Sequence, residues 1–548
     1  MSYTGGDLIA DGLATLGVEH VFGIVSIHNM PIFDAINRLG KTKIIDVRHE
    51  QGGTHAADGY SRATGKLGVM IASTGPGTTN TMTGLYEAQY GSSRVMVITG
   101  QAETAFYGKA LGYVHEAENQ LPMLRTVCRR AESPRHVDKL ADAFNAVVDD
   151  IFTGRPQPGA LEIPIDVQYA QTTRPVFVKP GQVKFPSTEQ AFDAIAEKLK
   201  RSSRRVIIAG GGVIAAGASA ALKALAEKLD CPVLTSVDGR GSLPEDHPLC
   251  VGNYYNSAGM YQSIDDADVT LAIGTRFAVG VDGQFAKQTP PGELIQIDID
   301  PAMIGRTHRA HLGVHADAKI AIDAILGRIS DVSGNDSQFN DKVWTSREGV
   351  RKAMRKRLGD DWTKVMDKLR SALPRDGLFV RDQTISAYNW GNQLFPIYEP
   401  RTSMNPTSGA IGPGFPIALG AAVATGKKTV VVHGDGGFMF HATELATAAQ
   451  YQLPLVVCVF NDQGYGVLRW LQDTRFGRVN ETDIGKMNFA MLAESLGVPG
   501  ERVKSPEEFA LAIDRAMAAS GPYLIDVDME HFKPMEISIM PKKKAGAT

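Results

Sequence analysis

Cysteine is scarce in this chain of 548 residues: there are four, Cys128, Cys231, Cys250 and Cys458, and no two form a CxxC pair. That scatter argues against a disulfide framework or a cysteine zinc site and fits a reducing compartment such as the cytoplasm. Long apolar runs are missing as well. None reaches the ~18 residues that a membrane helix needs. The opening MSYTGGDLIADGL lacks a basic stretch followed by an apolar one, so no secretory leader is expected. Neither charge sign dominates. With a formal net charge of −3, no global field favours nucleic acid. What remains is 43% hydrophobic and 21% charged, the make-up of a globular chain. At ~150 residues per domain, the length predicts three or four domains.

Apolar β-branched runs alternate with helical patterns in three blocks. In the first, over 1–170, residues 5–16 read as an amphipathic helix with Leu8, Ile9, Leu13 and Leu16 on one face. Strands are expected over 21–25, 43–47, 69–73, 94–99 and 159–163, and a helix over 31–39. Gly75-Pro76-Gly77 reads as a turn that cannot be helix interior. Residues 171–188 hold three prolines and no helical period, so they read as a linker. The second block, 189–330, offers strands over 206–209, 232–236, 269–273 and 294–299, a glycine turn at Gly210-Gly211-Gly212 and a helix over 219–228. Residues 330–340 are polar and loop-like, and a charged helical stretch follows. The third domain is counted over 363–548, its strand and helix alternation beginning near Asp376. The predicted class is α/β, with three Rossmann-like doubly wound parallel sheets. The final PKKKAGAT reads as a solvated tail whose lysines offer a cover for an anionic substrate.

The chemistry concentrates in 428–466. A strand over 428–433 ends in Gly434-Asp435-Gly436-Gly437, and a helical pattern covers 443–451. A second strand over 455–460 ends in Asn461-Asp462-Gln463-Gly464. Asp435 and Asp462, 27 positions apart, are hard oxygen donors at the ends of two strands, where open α/β sheets bind ligands. Flanking glycines allow backbone N–H groups to approach an anion. A carboxylate pair with a glycine cradle suits Mg²⁺ bridging to a diphosphate. Two ordinary β-turns are the plainer reading.

Together, GDG and the Asn-Asp pair resemble the signature of thiamin diphosphate (ThDP) enzymes. The segment IIDVRHEQGGTHAADGYSRATGK around Glu50 resembles the first-domain motif of their acetohydroxyacid synthase branch. The resemblance covers nearly the whole chain and implies pyrimidine-binding, central and diphosphate-binding domains, in that order. It makes Glu50 the carboxyl group that bonds N1′ of the cofactor's aminopyrimidine and thereby helps draw the proton from C2. A largely buried site is then expected for it. Residues 408–414 resemble the loop that holds the pyrimidine, with the Gly409 carbonyl as acceptor and Ile411 as the apolar wedge. Asp435, Asp462 and the Gly464 carbonyl become the protein's cation ligands, and Gly434, Gly436, Gly437 and Tyr465 line the diphosphate. Asp462 stands where most relatives have asparagine, which adds a negative charge.

His28 and His115 fall where such enzymes keep active-site polar groups. An imidazole can move the protons of carbonyl addition and product release. Ser73, Gln120 and Tyr465 are lesser candidates for the same region. Trp470-Leu471 replaces the Gln-Trp pair of acetohydroxyacid synthases and is closer to benzoylformate decarboxylase-like enzymes. This argues against branched-chain acetohydroxyacid synthesis. The stretch GRGSLPEDHP and Ile297-Asp298-Ile299-Asp300-Pro301 resemble the family's central domain. However, 252–256 and 276–279 lack the pattern of flavin-binding members, so FAD is not expected.

The resemblance implies a Mg²⁺-dependent C–C lyase or carboligase acting on a 2-oxo acid, with protonation or carboligation after decarboxylation. Its site would lie between subunits of a homodimer or homotetramer. A lyase of 2-hydroxyacyl-CoA or 2-hydroxy ketones is the alternative within the enzymes. A non-catalytic ThDP-binding regulatory protein is the alternative outside them.

Overall fold

The computed structural model describes residues 3–177, 180, 189–278 and 288–535. The remainder of the expected linker, Val279 and the lysine tail lie outside the described residues. Three separate sheets form, each with six strands, and every pairing within them is parallel. The first contains β1 (His20–Gly23), β2 (Lys43–Asp46), β3 (Gly68–Ala72), β4 (Val95–Gln101), β5 (Arg130–Glu132) and β6 (Gly159–Pro164). The second contains β7 (Arg205–Ala209), β8 (Val233–Thr235), β9 (Cys250–Gly252), β10 (Val269–Ile273), β11 (Glu293–Asp298) and β12 (Leu312–His315). The third contains β13 (Leu378–Arg381), β14 (Ser403–Met404), β15 (Thr429–Gly434), β16 (Leu455–Asn461), β17 (Gly500–Val503) and β18 (Tyr523–Asp528). Their inner strands are buried along their length because helices cover both faces, which explains the continuous apolar runs.

Strand order separates the blocks. The first sheet runs β2-β1-β3-β4-β6-β5 and the third β14-β13-β15-β16-β18-β17, which is the same order shifted to a new set of strands. The central sheet runs β12-β11-β10-β7-β8-β9, the order of dinucleotide-binding folds. The outer blocks therefore repeat one topology.

The two outer blocks share one hydrophobic core. Phe22, Tyr60, Met70 and Val97 pack in the same cluster as Phe415, Ile417, Val431 and Phe438. At its centre, helix Glu50–Thr64 crosses helix Gly414–Thr425. A methyl group on Gly59 would sit 2.0 Å from the Ile417 carbonyl oxygen, and one on Gly420 would sit 1.8 Å from that of Ala56. These glycines let the backbones touch, and the paired contacts (59 with 417, 56 with 420) make the helices antiparallel. Each helix follows the second strand of its own sheet, so the carboxyl edges of the two sheets point in opposite directions. Contacts at either end agree. Asp46, closing β2, receives the Tyr451 hydroxyl just before β16 begins, whereas Arg62, late in its helix, donates to the Asn405 carbonyl just after β14 ends.

Two expectations need correction. Pro76 and Gly77 are not in a turn: they open helix Pro76–Gly91, with Gly75 at φ 60° as its cap. Proline is tolerated there because the first helical N–H has no partner to lose. The loop expected through residue 340 ends at Asp336, which caps helix Ser337–Leu358 by accepting from Gln338 and Phe339. The expected linker begins docked, with Gln171 bridged to Thr4 and Phe177 edge-on to Phe144.

Candidate active site

Each outer sheet gathers polar groups at its carboxyl edge. On the first, Glu50 opens its helix and accepts from the Asn80 amide at 2.9 Å. A methyl group on Gly77 would lie 3.2 Å from the Glu50 carboxylate and 2.9 Å from Ser73 Cβ, so the three are neighbours. Glu50 is partly exposed rather than largely buried as expected. His28, 1% exposed, follows β1 and lies 5.3 Å ring to ring from His115. Neither His28 ring nitrogen makes a well-formed hydrogen bond. Burial, then His115, hold His28 below the ordinary 6.5, against the Val114 carbonyl. His115 sits at φ 61°, a conformation rare outside glycine, which brings its carbonyl against Gly75.

Gln120 is fully committed to bracing this edge. It accepts from the Gly75 N–H at 2.8 Å and the Thr74 hydroxyl at 3.0 Å. It also donates to Gly100 and Glu162. Its role is to hold the loops together, whereas the Ser73 hydroxyl is buried without a partner.

On the third sheet, β15 delivers Asp435 and β16 delivers Asp462. Asp435 takes the Gly464 N–H at 2.8 Å on one oxygen, and its other oxygen is buried with no partner. Burial, then the charge of Asp462, push Asp435 up to about 8, and burial raises Asp462 too. Arg469, 3.8 Å away, offsets Asp462 in part. Two converging, under-compensated carboxylates and a free buried oxygen fit a divalent cation. Among the described residues no cluster of three or more His, Cys, Asp or Glu side chains is placed to hold a metal. Remaining ligands would therefore come from a backbone carbonyl, such as that of Gly464, and from the bound molecule. The glycines beside Asp435 also serve packing. A methyl group on Gly436 would lie 2.6 Å from the Tyr465 ring, and one on Gly437 2.7 Å from Asp382. Gly434 closes β15 and accepts from His433 when that ring's Nδ1 carries the proton, at 3.0 Å.

The loop over 407–414 is tied at both ends and free in the middle. Asp382, closing the β13 side, accepts from Gly412 and Gly414 N–H groups at 2.9 Å each. Thr407 and Ser408 donate to buried Glu87 of the first block. Between these anchors Gly409 lies at φ +83° with nothing within 4 Å of a would-be side chain, and Ile411 is 37% exposed. Large apolar side chains emerge on both edges: Val25, Ile27 and Val114 on one, Ile411, Phe440 and Leu468 on the other.

Asp382, Glu87 and Glu444 escaped the sequence reading. Asp382 had a usable signal, an acid at a strand's carboxyl end. The two glutamates, inside helical patterns, had none. Trp470 and Leu471 lie on helix Gly466–Phe476, none of whose residues is buried. Between the first and central blocks a cleft of about 790 Å³ is lined by Arg129 and Arg155 of the one and Arg276 and Arg306 of the other.

Comparison with known proteins gives three domain matches in chain order: thiamine pyrophosphate enzyme N-terminal TPP binding domain over 3–123, central domain over 192–325, and C-terminal TPP binding domain over 385–527. A probable acetolactate synthase large subunit of Methanocaldococcus jannaschii is 31% identical over 95% of this chain and 91% of its own. A probable 2-ketoarginine decarboxylase of Pseudomonas aeruginosa is 33% identical over 96% and 94%. The acetolactate synthase large subunit of Buchnera aphidicola is 30% identical over 97% and 96%.

Proposed function

Because the chain belongs to the thiamine pyrophosphate enzymes, in their acetolactate synthase-like branch, we propose that it cleaves or forms the C–C bond beside the carbonyl of a 2-oxo acid, using a divalent cation, Mg²⁺, with its ThDP. The observation that carries this is the Asp435–Asp462 pair, whose buried oxygen and mutual repulsion suit a cation beside a diphosphate. ThDP, when bound, supplies a nucleophilic carbon and an electron sink. The chain does the rest. Asp435, Asp462 and the Gly464 carbonyl hold the cation. Gly434, Gly436, Gly437 and Tyr465 flank the diphosphate. Gly409 and Ile411 receive the pyrimidine, Glu50 holds a proton at its ring nitrogen, and His28 and His115 pass protons to and from the substrate oxygen.

The two carboxyl edges of one chain face opposite ways, which supports a site that draws Glu50 and Asp435 from different chains. The site is then shared by two chains, Glu50 from one and Asp435 from the other, in a homodimer or a pair of them. The exposed apolar residues on both edges support this. We read the central block as flavin-free. Tyr254 and Tyr255 are 1% exposed, and Asn253 donates to the Asn392 carbonyl, so that stretch is spent on packing against the third block. Unpaired, buried cysteines and the lack, among the described residues, of any helix able to cross a membrane support a cytoplasmic enzyme.

A panel of 2-oxo acids, with and without aldehyde acceptors, analysed by mass spectrometry, tests the activity. Loss of CO₂ from at least one acid is expected. Turnover of none, or near wild-type turnover by Glu50→Gln, overturns the reading. Turnover of hydroxyacyl thioesters alone would move it to the lyases. Flavin absorbance in the purified protein would overturn the flavin-free reading of the central block.

A further inference from the structure

Two buried glutamates cross the contact between the outer blocks in opposite directions. Glu444, on helix Glu444–Gln450 after β15, is 1% exposed. One of its oxygens accepts the N–H groups of Arg48 at 2.9 Å and His49 at 3.1 Å, the two residues directly before Glu50. The Thr447 hydroxyl occupies the other at 2.6 Å. A methyl group on Gly52 would strike the same carboxylate at 2.7 Å, so the helix start is seated against it. Glu87, on helix Pro76–Gly91 after β3, is also 1% exposed. It accepts the N–H groups of Thr407 at 2.6 Å and Ser408 at 3.1 Å, the residues directly before Gly409. Both hydroxyls of that pair bond it as well, and Arg62 donates at 2.8 Å.

The arrangement is reciprocal because the topology is. Each glutamate lies on the helix after the third strand of its block. Each grips the backbone that enters the helix after the second strand of the other. We propose that Glu444 and Glu87 are positioning residues, each fixing the catalytic segment borne by the opposite block: Glu444 sets Glu50, and Glu87 sets the Gly409–Ile411 loop. A buried acceptor cannot be replaced by water, so loss of either carboxylate leaves the N–H groups it receives without partners. The inference rests on the shared-site reading. In it, a chain lends its Glu50 to the partner's cofactor and keeps its own 407–414 loop for the cofactor on its own Asp435. Glu444 therefore acts on a different site from Asp435, nine residues before it in the same chain. Glu87 acts on a different site from Glu50.

Co-expressed chains with two tags, isolated as mixed dimers, test this. Glu50→Gln with Asp435→Asn is the control: one of two equivalent sites is intact, so about half the wild-type activity is expected. Failure here sinks the shared site itself. Glu444→Ala paired with Asp435→Asn should then regain the same activity, and paired with Glu50→Gln should not. Glu87→Ala should do the reverse, regaining activity with Glu50→Gln only. The opposite pairing, with each glutamate segregating with the block that carries it, overturns the proposal while leaving the control standing.

In homodimers, Glu444→Ala should lower kcat by about 10- to 100-fold with ThDP affinity little changed, and Glu87→Ala should weaken ThDP by a similar factor. Glu444→Gln, which still accepts both N–H groups, should restore most of the lost kcat. If Glu444→Gln is as poor as Glu444→Ala while both fold, the backbone-positioning role is wrong.

Discussion

On the first sheet's carboxyl edge the free groups are a carboxyl and imidazoles, side chains able to carry protons. Glu50 has one amide partner, and His28 makes no well-formed hydrogen bond through either ring nitrogen beside His115. On the third sheet's matching edge they are two carboxylates that repel each other, with backbone N–H groups and glycines around them. Strand order is the same in both, and both edges rest on the same seam of antiparallel helices. The shared topology decides where loops converge, and the loop residues decide whether that place is suited to moving protons or to holding a cation.

The sharpest way to break this comparison is to remove one acid from each edge. Glu50→Gln should lower kcat by roughly 10²–10⁴-fold with cofactor retained. Asp435→Asn should instead release the cofactor, as equilibrium dialysis with and without Mg²⁺ would record. If both variants retain cofactor and lose only rate, the division of labour is wrong. Next in size is the seam. Gly59→Ala and Gly420→Ala each drive a methyl group into a carbonyl oxygen, and each should cost about 1–3 kcal/mol in urea unfolding. A large cost from only one would show that the halves are not equivalent there.

The seam also carries a pH dependence. His55 and His441 are buried ring to ring at 5.6 Å without hydrogen-bond partners. Burial lowers His55 to about 4, with Glu87 and Arg62 acting in opposite senses, and lowers His441 to about 2, helped by His55, His433 and His49. Both values lie below the ordinary 6.5, so the unfolded chain binds protons that the folded chain refuses. Stability is then full above pH 6.5 and falls as pH drops toward 4, by roughly 1–2 kcal/mol per histidine at pH 5. His441→Phe should flatten the fall of melting temperature over that range, and an unchanged slope would remove these rings from the account. Smallest is Ile411→Ala. Its exposure predicts a stability change within about 0.5 kcal/mol. A loss of roughly tenfold in kcat/KM, about 1.4 kcal/mol, is expected if Ile411 shapes the bound cofactor.

Much of this architecture was readable from residues alone. The strand predicted over 269–273 is Val269–Ile273, and that over 455–460 is Leu455–Asn461, because buried parallel strands are written as unbroken apolar runs. Edge strands such as Arg130–Glu132, Ser403–Met404 and Gly500–Val503 went unnoticed: they are short and half-polar, and their pairing is decided by distant neighbours. Of the site, Asp435, Asp462, Glu50 and the 408–414 loop carried local motifs. Glu87 and Glu444 did not, since a glutamate in a helical pattern looks the same whether water or another domain's backbone receives it. Which way the edges face was likewise beyond reach, because it depends on a single crossing of two helices.

That crossing also constrains motion. With Gly59 and Gly420 each lodged against a facing carbonyl, a slip of one helical turn along the seam would set bulkier side chains against the same oxygens. Shear between the outer blocks is thereby blocked, and the Glu87 and Glu444 anchors oppose a hinge. A closure over a bound molecule would then have to come from segments outside that seam, such as the irregular stretch 102–119 and the surface helix Gly466–Phe476, and the pace of product release should follow the composition of those two segments rather than any rearrangement of the scaffold.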